Sequence, residues 1–197
     1  MKKITLFAIF IFAAASTFAQ TKWTFDKSHS SVGFSVTHLI ISEVEGNFKN
    51  FDGTVETNGD DFIGAKVEFT VDTKSIDTDN EQRDNHLRSD DFFNAEKFPQ
   101  MIFKSKSFKK AGDKKYKLIG ELTIRDITKE VTLDVKHNGT VKDPWGNTKA
   151  GFKITGEINR FDYGLKWNAL MEAGGAVVGE SVNLEINIQL AKAKNEA

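Results

Sequence analysis

Cysteine is absent from the 197 residues. No disulfide can brace the fold, no thiolate can hold a metal and no cysteine nucleophile exists, so stability must come from a core. Proline occurs only at Pro99 and Pro144, and the glycines are scattered, so no linker divides the chain and one domain is expected. Charge of one sign is missing too. The formal net charge is −1, which excludes a strong electrostatic grip on nucleic acid or on an anionic membrane surface. Nor does any hydrophobic run reach the length of a membrane-crossing helix. The longest, residues 4–15, is broken only by Thr5. It follows Lys2-Lys3 and precedes small residues at Thr17 and Ala19, the layout of a secretory signal. Residues 1–19 are therefore expected to be a cleaved signal peptide, and residues 20–197 a soluble mature domain large enough to bury about two thirds of its unfolded surface.

What the sequence does have is phenylalanine, 17 in all, together with an alternation of apolar and polar residues. Ile63, Ala65, Val67, Phe69 and Val71 alternate with polar or small residues. So do Tyr116, Leu118, Leu122 and Ile124, then Val131, Leu133 and Val135, then Phe152, Ile154 and Ile158. The pattern is cleanest at Val182, Leu184, Ile186, Ile188 and Leu190. Period two places each set on one face of a strand. Turn signals at Asn58-Gly59, Ala111-Gly112-Asp113, Asn138-Gly139 and 143–147 separate these runs. One-sided strands with short connections predict an antiparallel meander. Eight or slightly more such strands close into a barrel, which removes exposed edges. Two segments interrupt the alternation. Thr78 and Glu81 form a capping-box pattern that predicts a short polar helix over 79–89. Residues 160–180, with Tyr163, Trp167, Leu170 and Met171, are too apolar for a free loop and are expected to cap one end of the barrel.

The inward set comprises Phe34, Val36, Phe69, Val71, Phe103, Leu122, Leu133, Phe152 and Ile154. An eight-stranded barrel can be filled by such side chains or can enclose one small ligand, and periodicity leaves both readings open. His38 continues the inward parity of Val32, Phe34 and Val36. It is either a hydrogen-bonded core histidine or a polar contact at a cavity mouth. The four histidines lack metal-site spacing. There is no Gly-x-Ser-x-Gly elbow and no phosphate-cradling glycine loop. His86 with Asp84 and Asp90 could be read as an acid–base set, although carboxylates on a polar helix more often cap or solvate it.

A family pattern runs through these same residues. Trp23-x-Phe25-Asp26-x-x-His29-Ser30-x-Val32-x-Phe34-x-Val36-x-His38 resembles the opening of the YceI-like family of polyisoprenoid-binding proteins. Gln82-Arg83-Asp84-x-His86-Leu87-Arg88-Ser89 followed by Asp91-Phe92-Phe93 is similar to its helix motif. Gly120-x-Leu122-Thr123-Ile124 and Arg160-x-Asp162-Tyr163-Gly164 are similar to two later motifs, with Tyr163 where the family usually carries Phe. The resemblance covers nearly all of residues 22–191. It implies an all-β, lipocalin-like antiparallel barrel, periplasmic, without a shared catalytic activity or cofactor, whose apolar tunnel carries an isoprenoid quinone, polyprenyl phosphate or similar amphiphile. The tunnel wall and mouth would be the nine inward residues above with His38, Trp167 and Met171. Arg83, Asp84 and His86 would order the entrance, with Asp84 pairing Arg83, Arg88 or Arg160. No nucleic-acid partner is expected, while transient membrane contact and a homodimer are compatible with the resemblance. The rival readings are a packed barrel acting outside as a periplasmic adaptor or stress-related protein, and a hydrolase-like enzyme using His86 and Asp84.

Overall fold

The structure is a computed structural model and describes residues 20–59, 61–169 and 174–194. The expected signal peptide and Met171 lie outside the described residues. Among the described residues eleven strands run antiparallel: β1 (Gln20–Phe25), β2 (Ser31–His38), β3 (Ser42–Phe48), β4 (Phe51–Asn58), β5 (Lys66–Asp72), β6 (Ile76–Asp77), β7 (Gln100–Gly112), β8 (Lys115–Ile124), β9 (Ile127–Lys142), β10 (Thr148–Asn159) and β11 (Val178–Lys192). The sheet order is β1-β4-β5-β7-β8-β9-β10-β11, and β11 pairs back onto β1 to close eight strands into a barrel. Beyond Ser30 the chain climbs the upper part of β11 as β2, pairing Ser31 with Asn187 and His38 with Val178. Then β3 and β6 continue the sheet from β2.

The alternation read from the sequence survives as the inside and outside of this barrel, because inward apolar residues can be desolvated together only if register is kept. In β11, Ile188 and Leu190 are buried, while Glu185 faces out to Lys153. Two inward glycines make room for large neighbours. A Cβ on Gly46 would lie 2.4 Å from the Phe34 ring, and one on Gly120 would lie 2.4 Å from the Phe103 ring. A glycine inside a strand marks such a close approach.

Three expectations differ in detail. The strand expected from Ile63 begins at Lys66; Ile63 is exposed, and its neighbour Phe62 turns inward instead. Asn138-Gly139 is not a turn. Strand β9 passes through it, bulged where Gly151 and Phe152 face Gly139 and His137, and the hairpin turns only at the other expected turn, 143–147. There the Asp143 carboxylate accepts from the Trp145 and Asn147 amides, an Asx turn that outcompetes the Asn-Gly signal. The helix α1 (Glu81–Arg88) is capped by Asn80, whose side chain accepts from the Arg83 amide, and not by Thr78. Thr78 is drawn away because its hydroxyl and amide both donate to Asp84.

Candidate functional site

The barrel interior is hollow. The cavity measures about 230 Å³, and its lining is aliphatic, aromatic or methionine apart from Gly33 and Arg160. It is elongated. Alternate residues of β11 from Val182 to Leu190 all face it, a run of roughly 26 Å along the strand at about 3.3 Å per residue. All nine inward residues named from the sequence, Phe34, Val36, Phe69, Val71, Phe103, Leu122, Leu133, Phe152 and Ile154, lie in this wall. Trp167 and His38 do not. Trp167 is half-buried behind the wall, packed against the cluster of Phe92, Ile124, Tyr163 and Leu165, its ring 4.9 Å from His86 and 5.5 Å from Phe92. His38 is half-buried at the end of β2, one step beyond the lining residue Val36.

Phe62 closes one end of the cavity. It is 3% exposed, and its ring lies 5.1 Å from Trp23 and 4.8 Å from Phe152. His137 stacks on Phe152 at 4.8 Å, and this burial holds its imidazole pKa below the ordinary value. Nothing in the sequence marks Phe62 as inward, since it sits beside a turn and outside any alternation.

Polar residues build the other end. The Asp84 carboxylate, 6% exposed, accepts from the Thr78 amide at 3.0 Å and the Thr78 hydroxyl at 2.6 Å. Arg83 donates to the same hydroxyl at 2.8 Å and to the Thr78 carbonyl at 2.6 Å. Arg88 donates to the carbonyls of Lys74 and Ile76. Asp84 thus binds Thr78, and the expected pairing with an arginine is not formed. His86 Nε2 donates to the Asp91 carboxylate at 2.8 Å. Two residues apart on a helix, His86 and Asp84 point in different directions, and neither lines the cavity. No group of three metal-ligating side chains occurs among the described residues.

Arg160 follows β10 in a short 3-10 turn (Arg160–Tyr163) and is 4% exposed. Its guanidinium donates to the carbonyls of Gly179, Leu165, Trp167 and Val178 at 2.8, 2.5, 2.8 and 3.2 Å. It therefore ties the segment after the turn to the start of β11. Desolvation lowers its pKa, opposed by Glu180 through space. Periodicity could not have found it, because it lies past the end of the strand. Tyr163, three residues on, is 2% exposed, its hydroxyl has no hydrogen-bond partner among the described residues, and burial pushes its pKa up to about 12.

Comparison with known proteins agrees with this geometry. The profile of the YceI-like domain matches residues 23–190. A UPF0312 protein of Staphylococcus aureus is 41% identical over 172 residues, spanning 87% of this chain and 98% of that protein. The crystal structure of the Campylobacter jejuni YceI protein superposes with a TM-score of 0.71 at 32% identity, covering 98% of this chain and all of that one. A polyisoprenoid binding domain from Saccharophagus degradans shares the fold at 14% identity, with a TM-score of 0.63 over 87% of this chain and 98% of that one. A continuous motif set, a closed barrel of the same plan and a profile match over most of the chain agree: this protein belongs to the YceI-like family.

Proposed function

We propose that this protein is an exported, non-catalytic carrier that sequesters one isoprenoid lipid in the barrel. The observation that supports this reading most is the elongated cavity of about 230 Å³ whose wall is almost wholly apolar. A polyprenyl tail is water-averse along its whole length, and moving it into such a wall gains about 25 cal/mol per Å² of apolar surface removed from water. Few polar contacts are needed, which fits a lining with a single charged side chain. A long tail outgrows the empty cavity, so seating it requires wall rings and the adaptable Met101 to shift. The polyisoprenoid binding described for the Saccharophagus degradans domain supports the ligand class. The signal-like leader supports delivery to the periplasm.

A lipid surface would be touched at the β2–β3 turn. Ile40 and Ile41 are 66% and 86% exposed, and the preceding Leu39 amide binds Val177 next to the lining residue Val178. Ile40 holds a φ of 69°, a conformation that β-branched residues rarely adopt. The turn therefore keeps two apolar side chains in water beside the cavity entrance at a backbone penalty.

The test is to narrow the cavity without burying charge. Phe34→Trp adds bulk to the wall where Gly46 lies under the Phe34 ring. Titration with a long polyprenyl ligand should show affinity weakened about tenfold or more, with the circular dichroism spectrum retained. Unchanged affinity for the long ligand would refute the cavity assignment.

A further inference from the structure

Beside the cavity, the ladder between β5 and β7 is interrupted. The two strands pair from Asp72 opposite Gln100 to Glu68 opposite Lys104. Past that pair β7 is bulged between Ser105 and Ser107 in its pairing with β8, and a bulge bends its strand away from a regular ladder. The Val67 amide is satisfied by a side chain, donating to the Ser105 hydroxyl at 2.8 Å. The chain meets β7 again where the Gly64 amide donates to the Phe108 carbonyl at 2.8 Å.

An open groove of about 460 Å³ lies along this gap. Ile63, Val67 and Phe108 give it apolar surface, and the exposed Lys66, Lys104 and Lys109 border it. Ile63 is 46% exposed. Lysine stems extend such an apolar surface while their ammonium groups stay in water. Val67 and Phe108 line the barrel cavity as well as the groove. Their side chains therefore form the partition between the two spaces, Val67 half-buried and Phe108 5% exposed.

A tail that outgrows the cavity has two ways onward. Straight ahead stands Phe62, held between Trp23 and Phe152 at 5.1 and 4.8 Å. Displacing it breaks a close-packed ring cluster. Sideways stands the partition. There the bond nearest the gap ends on a serine hydroxyl, which changes partner by a rotamer step and leaves the backbone ladder intact. Methylenes that pass between Val67 and Phe108 replace the contacts they open, and beyond them the Ile63 side chain leaves water.

We propose that the groove between β5 and β7 is a second binding site, which receives the far end of an apolar tail too long for the cavity. The tail crosses between Val67 and Phe108. This rests on the cavity reading above and adds where a long chain goes and which residues tell long chains from short ones.

The test uses three neutral alcohols of increasing length, geraniol, geranylgeraniol and solanesol, each carrying a photoreactive diazirine at the tail end. Each is bound to the unaltered protein, irradiated, and the labelled peptides are identified by mass spectrometry. Geraniol should label the cavity wall. Solanesol should label 63–68 and 104–109. In calorimetric titration Ile63→Asp, a change at an exposed position outside the cavity wall, should weaken solanesol about threefold or more and leave geraniol unchanged. Solanesol label confined to the cavity wall, to Trp23, Phe62 and Phe152, or to α1 would overturn the groove site and leave the cavity reading standing. So would an Ile63→Asp effect that is absent, or equal for the short and long alcohols. Failure of all three alcohols to bind the unaltered protein would sink both.

Discussion

At one end of the barrel Trp23, Phe62 and Phe152 meet ring to ring at 5.1 and 4.8 Å. At the other, Asp84, Arg83 and Arg160 hold backbone groups through hydrogen bonds of 2.5–3.2 Å. A ring-sealed end opens only by returning apolar surface to water, at full transfer cost. A hydrogen-bonded end can exchange its partners for water with a small net change per bond, although an orphaned buried partner is expensive. The first is suited to a stop and the second to an entrance. That contrast orders the variants below by expected effect.

Phe62→Ala should be the most damaging for stability, about 3–5 kcal/mol, because it deletes a buried ring and leaves a hole. Denaturant unfolding checks the loss. If the ring end is only a stop, the surviving folded protein should still bind lipid. Asp84→Ala should cost less, about 2–3 kcal/mol, by stranding the Thr78 amide and hydroxyl. Here the lipid should leave faster, as stopped-flow release would show. Release unaffected by Asp84→Ala and accelerated by Phe62→Ala would reverse the assignment of the two ends.

A third kind of site lies at the seam where β1 passes to β2. The Asp26 carboxylate accepts from Lys149, Ser28 and Gln189 at 2.9, 2.8 and 3.0 Å, and contacts His29. Lys149 foremost, then Ser28, hold its pKa well below the usual carboxylate range. A depressed folded pKa means that the stabilisation is complete above the ordinary aspartate value, about 4, and is lost as pH falls below it. Asp26→Asn should therefore lower stability by about 1 kcal/mol at neutral pH and flatten the acid limb of the melting profile. An acid limb unchanged in the variant would contradict this. The smallest effect is a gain. Tyr163→Phe removes a buried hydroxyl that has no partner among the described residues and should raise stability by about 1 kcal/mol in thermal unfolding. A loss would show that the hydroxyl is bonded in solution.

The same contrast separates what could be read in the sequence from what could not. The barrel and nine residues of its wall followed from period two, because a strand with one wet face and one dry face must alternate. The strand from Val182 to Leu190 is the clearest instance, and all five of its apolar residues line the cavity. Residues that close the ends obey no period. Phe62 leaves a turn to plug the cavity, and Arg160 enters it from a 3-10 turn past the end of β10. Local competition misled the finer reading: Thr78 has the right spacing for a helix cap but binds Asp84, and Asn138-Gly139 has the composition of a turn but lies in a bulged strand. Trp167 is apolar, yet it does not line the cavity, because its ring packs between His86 and Phe92. Gly46 and Gly120 take on meaning only with the Phe34 and Phe103 rings above them.

The most direct measurement is native mass spectrometry of the protein purified from its own source and again after incubation with a polyprenyl lipid. The account predicts one added mass per chain, equal to a single isoprenoid amphiphile, in the incubated sample at least, and a weakened adduct in Phe34→Trp. Bare protein in both samples, with the fold intact, would contradict the claim that the barrel exists to enclose a lipid.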